Sequence, residues 1–179
     1  MPHLLNIWPV VSRQLASSRR ILLIFDYDGT LTPIVGCPQN ARLSDNARRC
    51  LVDLAEKERF IIGVVSGREL TELEELVAIP GLIYAGNDGL EIRGLGMNFV
   101  HPQTAGLIES VTKVAGLLEQ ELEYVPKLLV HNKRLTVSVH FKNTPDKYLA
   151  KVNRTVASVL GPYVSSGEVK VTHGIKIIQ

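Results

Sequence analysis

The sequence predicts an α/β fold, a doubly wound parallel sheet joined to a smaller α+β unit. Three observations carry that expectation. Two apolar runs, Ile21–Phe25 and Phe60–Val65, each lead into polar residues and glycine, as strands buried on both faces of a parallel sheet do. Segments of helical period alternate with these runs through the first half, the pattern of successive βαβ units. The second half changes texture: Leu135, Val137, Val139 and Phe141 alternate with Thr136, Ser138, His140 and Lys142, so one face of that sheet is polar.

The elements follow in order. Leu4, Ile7, Trp8, Val11 and Leu15 lie close to helical spacing, and Ser17-Ser18-Arg19-Arg20 separates this helix from the first strand. Pro33, Gly36 and Pro38 mark a loop after that strand. Ser44 is placed to cap a helix that carries Ala47, Cys50, Leu51, Leu54 and Ala55 on one face. After the Phe60–Val65 strand, a helix turns Leu70, Leu73, Leu76 and Val77 inward, and Pro80-Gly81 ends it. Leu82–Ala85 is a short third strand leading into Gly86-Asn87-Asp88-Gly89.

Beyond it, Leu90–Arg93 and Asn98–Val100 form a hairpin around Gly94 and Gly96, and residues 103–122 suit a helix. Paired strands are expected over Lys127–His131 and Leu135–Lys142. Thr144 caps a further helix with Pro145 at its first position, and Gly161-Pro162 stops it. Val169–Val171 and Ile175–Ile178 close the chain as a hairpin.

Composition excludes several classes. A chain of 179 residues buries roughly two-thirds of its unfolded surface, enough for one or two small domains. With 20 basic and 18 acidic residues there is no general attraction to nucleic acid or to a membrane surface. No apolar run approaches spanning length. The proline-broken start Met1–Pro9 lacks a charged segment and makes a poor signal peptide, so a cytoplasmic protein is expected. Cys37 and Cys50 have neither CxxC spacing nor nearby histidines and are expected to be buried or incidental thiols.

The chemistry concentrates at Asp26-Tyr27-Asp28-Gly29-Thr30-Leu31. Side chains alternate along a strand, so Asp26 and Asp28 point the same way from its carboxyl end, where open α/β sheets bind ligands. Gly29 allows a sharp turn close to a ligand. A calcium loop starting at Asp26 needs Glu at its twelfth position, and that position is Cys37. Ser66-Gly67-Arg68 ends the second strand, 40 residues after Asp26, and parallel pairing brings the two strand ends together. A helix cap with a solvated arginine is the plainer reading of that tripeptide.

Two carboxylates, a hydroxyl and backbone amides suit an aspartyl-phosphate mechanism. Asp26 is the candidate nucleophile and Asp28 the general acid and base. Gly29, Thr30, Ser66, Gly67 and Arg68 are candidates for holding phosphoryl oxygens. Two unit charges about 4 Å apart repel by roughly 4 kcal/mol at an effective dielectric of about 20, and a phosphate dianion raises that cost. A hard cation is therefore expected. Mg²⁺ fits oxygen ligands from Asp26 and the Asp28 carbonyl.

These residues resemble a family. Asp26–Leu31 is similar to the first motif of haloacid dehalogenase-like phosphatases, and Ser66-Gly67-Arg68 to the second. The longer stretch Asp26–Val35, together with Tyr84–Ile92 and Leu135–Lys142, resembles the trehalose-6-phosphate phosphatase branch. The resemblance implies a Rossmann-like phosphatase core over residues 1–88 and an α/β cap domain over 89–179. The core would hold phosphate and Mg²⁺ while the cap grips a small-molecule sugar phosphate. Glu91, Lys133, His140 and Lys142 are the cap candidates. A solvated strand face accounts equally well for His140 and Lys142, and a turn for Lys133.

The sequence departs from the family pattern at Asp88, where histidine is usual, and at His131, where an acid is usual. The family's later motifs, a phosphate-binding lysine and an acidic metal cluster, have no counterpart after Ile175. An incomplete core is therefore expected, with Ile21–Phe25 as a bare apolar edge. The expected consequence is a 179-residue chain that is poorly soluble or inactive alone. A monodisperse, active monomer in light scattering and phosphate-release assays would contradict it.

Overall fold

The computed structural model describes residues 3–35, 40–174 and 176–179. The loop residues Gly36, Cys37 and Pro38, and Ile175 of the closing hairpin, lie outside the described residues.

A short 3₁₀ turn, Leu4–Ile7, leads into α1 (Trp8–Ser17), where Pro9 occupies the first turn, a position at which no intrahelical donor is lost. None of its residues is buried. β1 (Ile21–Asp26), β2 (Phe60–Val65) and β3 (Ile83–Gly86) form a parallel set, with Asp26 beside Val65 and Val65 beside Ala85. α2 (Asp45–Ala55) and α3 (Leu70–Val77) connect them. Ser44 caps α2, its hydroxyl accepting from the Ala47 amide at 3.2 Å. α3 begins only at Leu70, so Ser66 does not cap it.

The core of this unit joins Leu51, Leu70, Leu73 and Val77 from the helices to Ile62 and Val64, with Leu23 and Phe25 against them. β1 departs from the expectation of burial on both faces. Its side chains alternate between half-buried and exposed, and Leu22 and Ile24 are 54% and 62% exposed. The physical reason is that the helices cluster with only the Leu23 and Phe25 side of the strand. β1 is also the outer strand of its sheet.

β4 (Glu91–Gly94) and β5 (Met97–Val100) form the expected hairpin, but β4 pairs antiparallel with β3 and extends the first sheet in the order β1-β2-β3-β4-β5. The expected boundary at residue 88 thus falls at a turn inside that sheet. Gly86 is where α3 meets the sheet: a Cβ there would lie 2.5 Å from the Leu70 backbone. Glycine is the residue that allows so close an approach.

α4 (Pro102–Ala105) and α5 (Ile108–Leu122) share the span expected as one helix, the break falling at Gly106-Leu107. β6 (Leu129–Asn132) and β7 (Val137–His140) pair antiparallel, their connection made through Arg134 at φ 69°. α6 (Leu149–Ser165) packs on this second sheet through Val152, Val156 and Leu160. β8 (His173–Gly174) and β9 (Ile177–Ile178) complete it in the order β6-β7-β9-β8.

Two local expectations are corrected. Pro162 does not stop α6, which runs to Ser165, the apolar stripe packed on the sheet outweighing the lost amide bond. Thr144 caps nothing: its hydroxyl is buried without a partner among the described residues. Cys50 is exposed, which leaves the incidental thiol of the two readings. Among the described residues no helix is long and apolar enough to cross a membrane.

Candidate active site at the junction of the two sheets

The carboxyl ends of β1 and β2 lie side by side, and the turns after them build the site. Asp26 and Asp28 are exposed while Tyr27 between them is fully buried, as strand alternation requires. The Tyr27 hydroxyl donates to the Ala41 carbonyl at 3.0 Å, and burial pushes its pKa up. Gly29 takes φ 95°, its amide donating to the Thr32 carbonyl at 2.8 Å, which folds the Asp28–Thr32 turn back on itself. Thr30 places its hydroxyl 3.4 Å from an Asp26 carboxylate oxygen.

The Asp28 carboxylate faces the second strand end. Ser66 Oγ donates to Oδ2 at 3.2 Å, Arg68 Nε donates to the same oxygen at 2.9 Å, and Arg68 Nη2 donates to Oδ1 at 2.8 Å. Arg68 also pairs through Nη1 with Glu72, one helical turn on. Its guanidinium carbon sits 5.5 Å from the centre of the Tyr27 ring, within cation–π range. The Arg68 side chain is only 8% exposed.

The turn after β3 locks the first sheet to the second. The Asn87 amide donates to the Arg68 carbonyl at 2.6 Å, and the Asp88 amide donates to the Ser66 carbonyl at 3.1 Å. The fully buried Asn87 side chain donates to Glu91 at 2.9 Å and to the Lys133 carbonyl at 3.1 Å, and accepts from the Thr136 hydroxyl at 2.8 Å. Glu91 pairs in addition with Arg134, and Asp88 accepts from the Gln179 side chain. From the second sheet, the buried Lys133 ammonium donates to the Gly67 carbonyl at 2.6 Å.

Between the sheets lies a cavity of about 280 Å³, bounded by Asp28, Gly67, Arg68, Lys133, Ser138 and His140. His131, Glu72 and Gln179 also border it. Two basic groups in its wall are held below their ordinary pKa. For Lys133 the chief cause is burial, opposed by the charges of Asp88, Glu72 and Asp28. For His140 burial leads again, reinforced by Lys133, His131 and Arg68, and its ring nitrogen lies 3.0 Å from the Ser138 hydroxyl.

A stability consequence follows for His140. Its native pKa lies below the unfolded value of about 6.5, so the unfolded chain binds more protons as the pH drops past that value. Stability is therefore complete above roughly pH 6.5 and is lost as pH falls below it. Urea midpoints measured at about pH 5.5 and 7.5 should differ more for the wild type than for His140→Gln. Equal differences would show that His140 contributes nothing to the slope.

The structure thus brings together Asp28, Gly67, Arg68, Lys133 and His140 around one cavity. Ser66 reaches it through its bond to Asp28, and Asp26, Gly29 and Thr30 belong to the strand end and turn that carry Asp28. The structure places two candidates elsewhere. Glu91 is 3% exposed and held between Asn87 and Arg134, and Lys142 stands exposed in the turn after β7. Sequence reasoning missed Glu72, Asn87, Ser138 and Gln179. Glu72 was findable, since it lies four residues from Arg68 at helical pairing distance. No sequence pattern flags Asn87 as a junction.

Comparison with known proteins places these observations. A family model described as trehalose-phosphatase matches residues 24–179. The chain belongs to the trehalose-phosphatase family. A trehalose-phosphate phosphatase of Mycobacterium avium is 34% identical over 141 residues, covering 78% of this chain and 36% of that protein. Trehalose-phosphate phosphatase B of Arabidopsis thaliana is 28% identical over 187 residues, covering 99% of this chain and 48% of that protein. The chain thus spans less than half the length of these relatives. The structure of the C. albicans trehalose-6-phosphate phosphatase C-terminal domain superposes with a TM-score of 0.76 at 24% identity, over 95% of this chain and 59% of that one, and so shares the fold.

Among the described residues no group of three or more His, Cys, Asp and Glu side chains is arranged to hold a metal ion. Magnesium does not need such a cage: it is commonly bound by one or two carboxylates, waters and substrate phosphate. The exposed Asp26 carboxylate and the Asp28 carbonyl fit that kind of donor set.

Proposed function

We propose that this chain carries the nucleophile and the acid–base carboxylate of a sugar-phosphate phosphatase acting on trehalose 6-phosphate. The observation that supports the reading most is the cavity shared by Asp28 and Gly67 from one sheet and Lys133 and His140 from the other. It sets Lys133 and His140 opposite the Asp28 carboxylate.

In this mechanism the Asp26 carboxylate attacks phosphorus, and the bond from phosphorus to the sugar oxygen breaks. Asp28, which must take up a proton as the substrate binds, gives that proton to the departing oxygen. Asp28 then takes a proton from water, whose oxygen attacks the aspartyl phosphate, releasing phosphate and restoring Asp26. The Thr30 and Gly67 amides would hold the phosphoryl oxygens; the Gly29 amide is taken by the Thr32 carbonyl and shapes the turn, and the Ser66 hydroxyl would have to leave Asp28 to join them. Asp26 and the Asp28 carbonyl would hold Mg²⁺, which when bound neutralises charge at the phosphoryl group. Lys133 and His140 meet the sugar-phosphate side of the substrate.

A second reading, a phosphatase for a different sugar phosphate, is favoured by one feature of the cavity: His131, a basic group, borders it. Protein expressed from the complete reading frame, assayed with Mg²⁺ against a panel of sugar phosphates, separates the two. Phosphate release preferring trehalose 6-phosphate is the expected outcome. A preference for another member of the panel favours the second reading, and no release from any member defeats both.

A further inference from the structure

The geometry points to a positioning role for Arg68: it aims and fixes the Asp28 carboxylate for proton transfer, rather than binding the phosphoryl group. This rests on the assignment of Asp28 as acid and base. Both oxygens of Asp28 receive one guanidinium edge, through Nε at 2.9 Å and Nη2 at 2.8 Å. A bidentate pair of this kind fixes orientation as well as charge, because a rigid planar fork meets a planar carboxylate.

The fork is itself held from other directions. Glu72 on α3 takes Nη1, the Tyr27 ring lies 5.5 Å from the guanidinium carbon, and the side chain is 8% exposed. The Arg68 amide donates to Ser66 Oγ at 3.2 Å, and Ser66 Oγ donates to Asp28 at 3.2 Å, so the same short loop reaches the carboxylate twice. Tyr27 and Glu72 thus steady the arginine that grips Asp28. Arg68 borders the cavity, but its Nε and Nη2 are given to Asp28 and its Nη1 to Glu72.

Two measurements on protein from the complete reading frame test this. The first needs no turnover. With arginine labelled in ¹⁵N, the Arg68 Nε–H, assigned by its disappearance in Arg68→Lys, should give a slowly exchanging signal that loses its protection in Asp28→Asn. A freely exchanging wild-type signal, or one unchanged by Asp28→Asn, overturns the proposal.

The second uses the leaving group. Lysine keeps the charge of Arg68 and loses its fork. Arg68→Lys should lower the maximal rate on trehalose 6-phosphate by roughly thirtyfold or more, part of the range that general acids contribute. The first-turnover burst of nitrophenolate from p-nitrophenyl phosphate, whose phenolate leaves without a proton, should fall less than about threefold. Equal losses on both substrates with raised KM would assign Arg68 to the phosphoryl group and overturn the proposal. A wild-type protein that turns over neither substrate sinks the phosphatase reading itself, while the exchange measurement still decides whether Arg68 holds Asp28.

Discussion

Asp26→Asn in the protein from the complete reading frame should abolish phosphate release from sugar phosphates, lowering the rate by on the order of a thousandfold or more. The change keeps the side chain's size and removes only its nucleophilic charge. Asp26 is exposed at the end of β1 and the only polar contact described for its side chain is with Thr30 at 3.4 Å, so the fold should tolerate asparagine there. Thermal melting of the variant within a degree or two of wild type, beside lost turnover, is the expected pair of results. Retained turnover would remove Asp26 from the nucleophile role.

Asn87→Ala should have the largest effect on stability. Asn87 is fully buried and its side chain serves three partners on two sheets: Glu91, the Lys133 carbonyl and the Thr136 hydroxyl. Alanine leaves the buried Glu91 and a carbonyl without that donor, each at a cost of about 1–3 kcal/mol. Asn87 also adopts φ 49°, a conformation that asparagine tolerates better than alanine. A total loss of roughly 3 kcal/mol is expected in urea unfolding. A loss below about 1 kcal/mol would show that the junction is dispensable.

The parts of this fold that could be read from sequence are those where one physical signal dominates. Phe60–Val65 is a strand at its expected bounds and Ile21–Phe25 extends only to Asp26, because unbroken β-branched runs leave few alternatives. Ser44 caps α2 because a serine before a helical stripe has little else to do. The misreadings come where two signals compete. Pro162 is a breaker by rule, yet the apolar stripe of α6 holds the helix through it. Thr144 has the right residue type for a cap, but the chain turns first through Asp146–Tyr148 as a 3₁₀ segment.

The site shows the same division. Asp26, Asp28 and Ser66-Gly67-Arg68 stand out as motifs, and the parallel register of β1 and β2 brings them together. What each side chain touches depends on tertiary contacts no spacing encodes. Glu91, from sequence a cap candidate for the sugar phosphate, is held in an ion pair with Arg134. Lys142 continues the alternation of Ser138 and His140 in sequence, but the strand ends at His140 and leaves it in solvent.

The 2.6 Å bond from the Lys133 ammonium to the Gly67 carbonyl engages one of its three N–H donors. A ligand entering the cavity would meet the other two with the carbonyl still in place. A dianion would gain a charge-assisted bond there that a neutral hydroxyl would not. The difference between those two gains would favour anions.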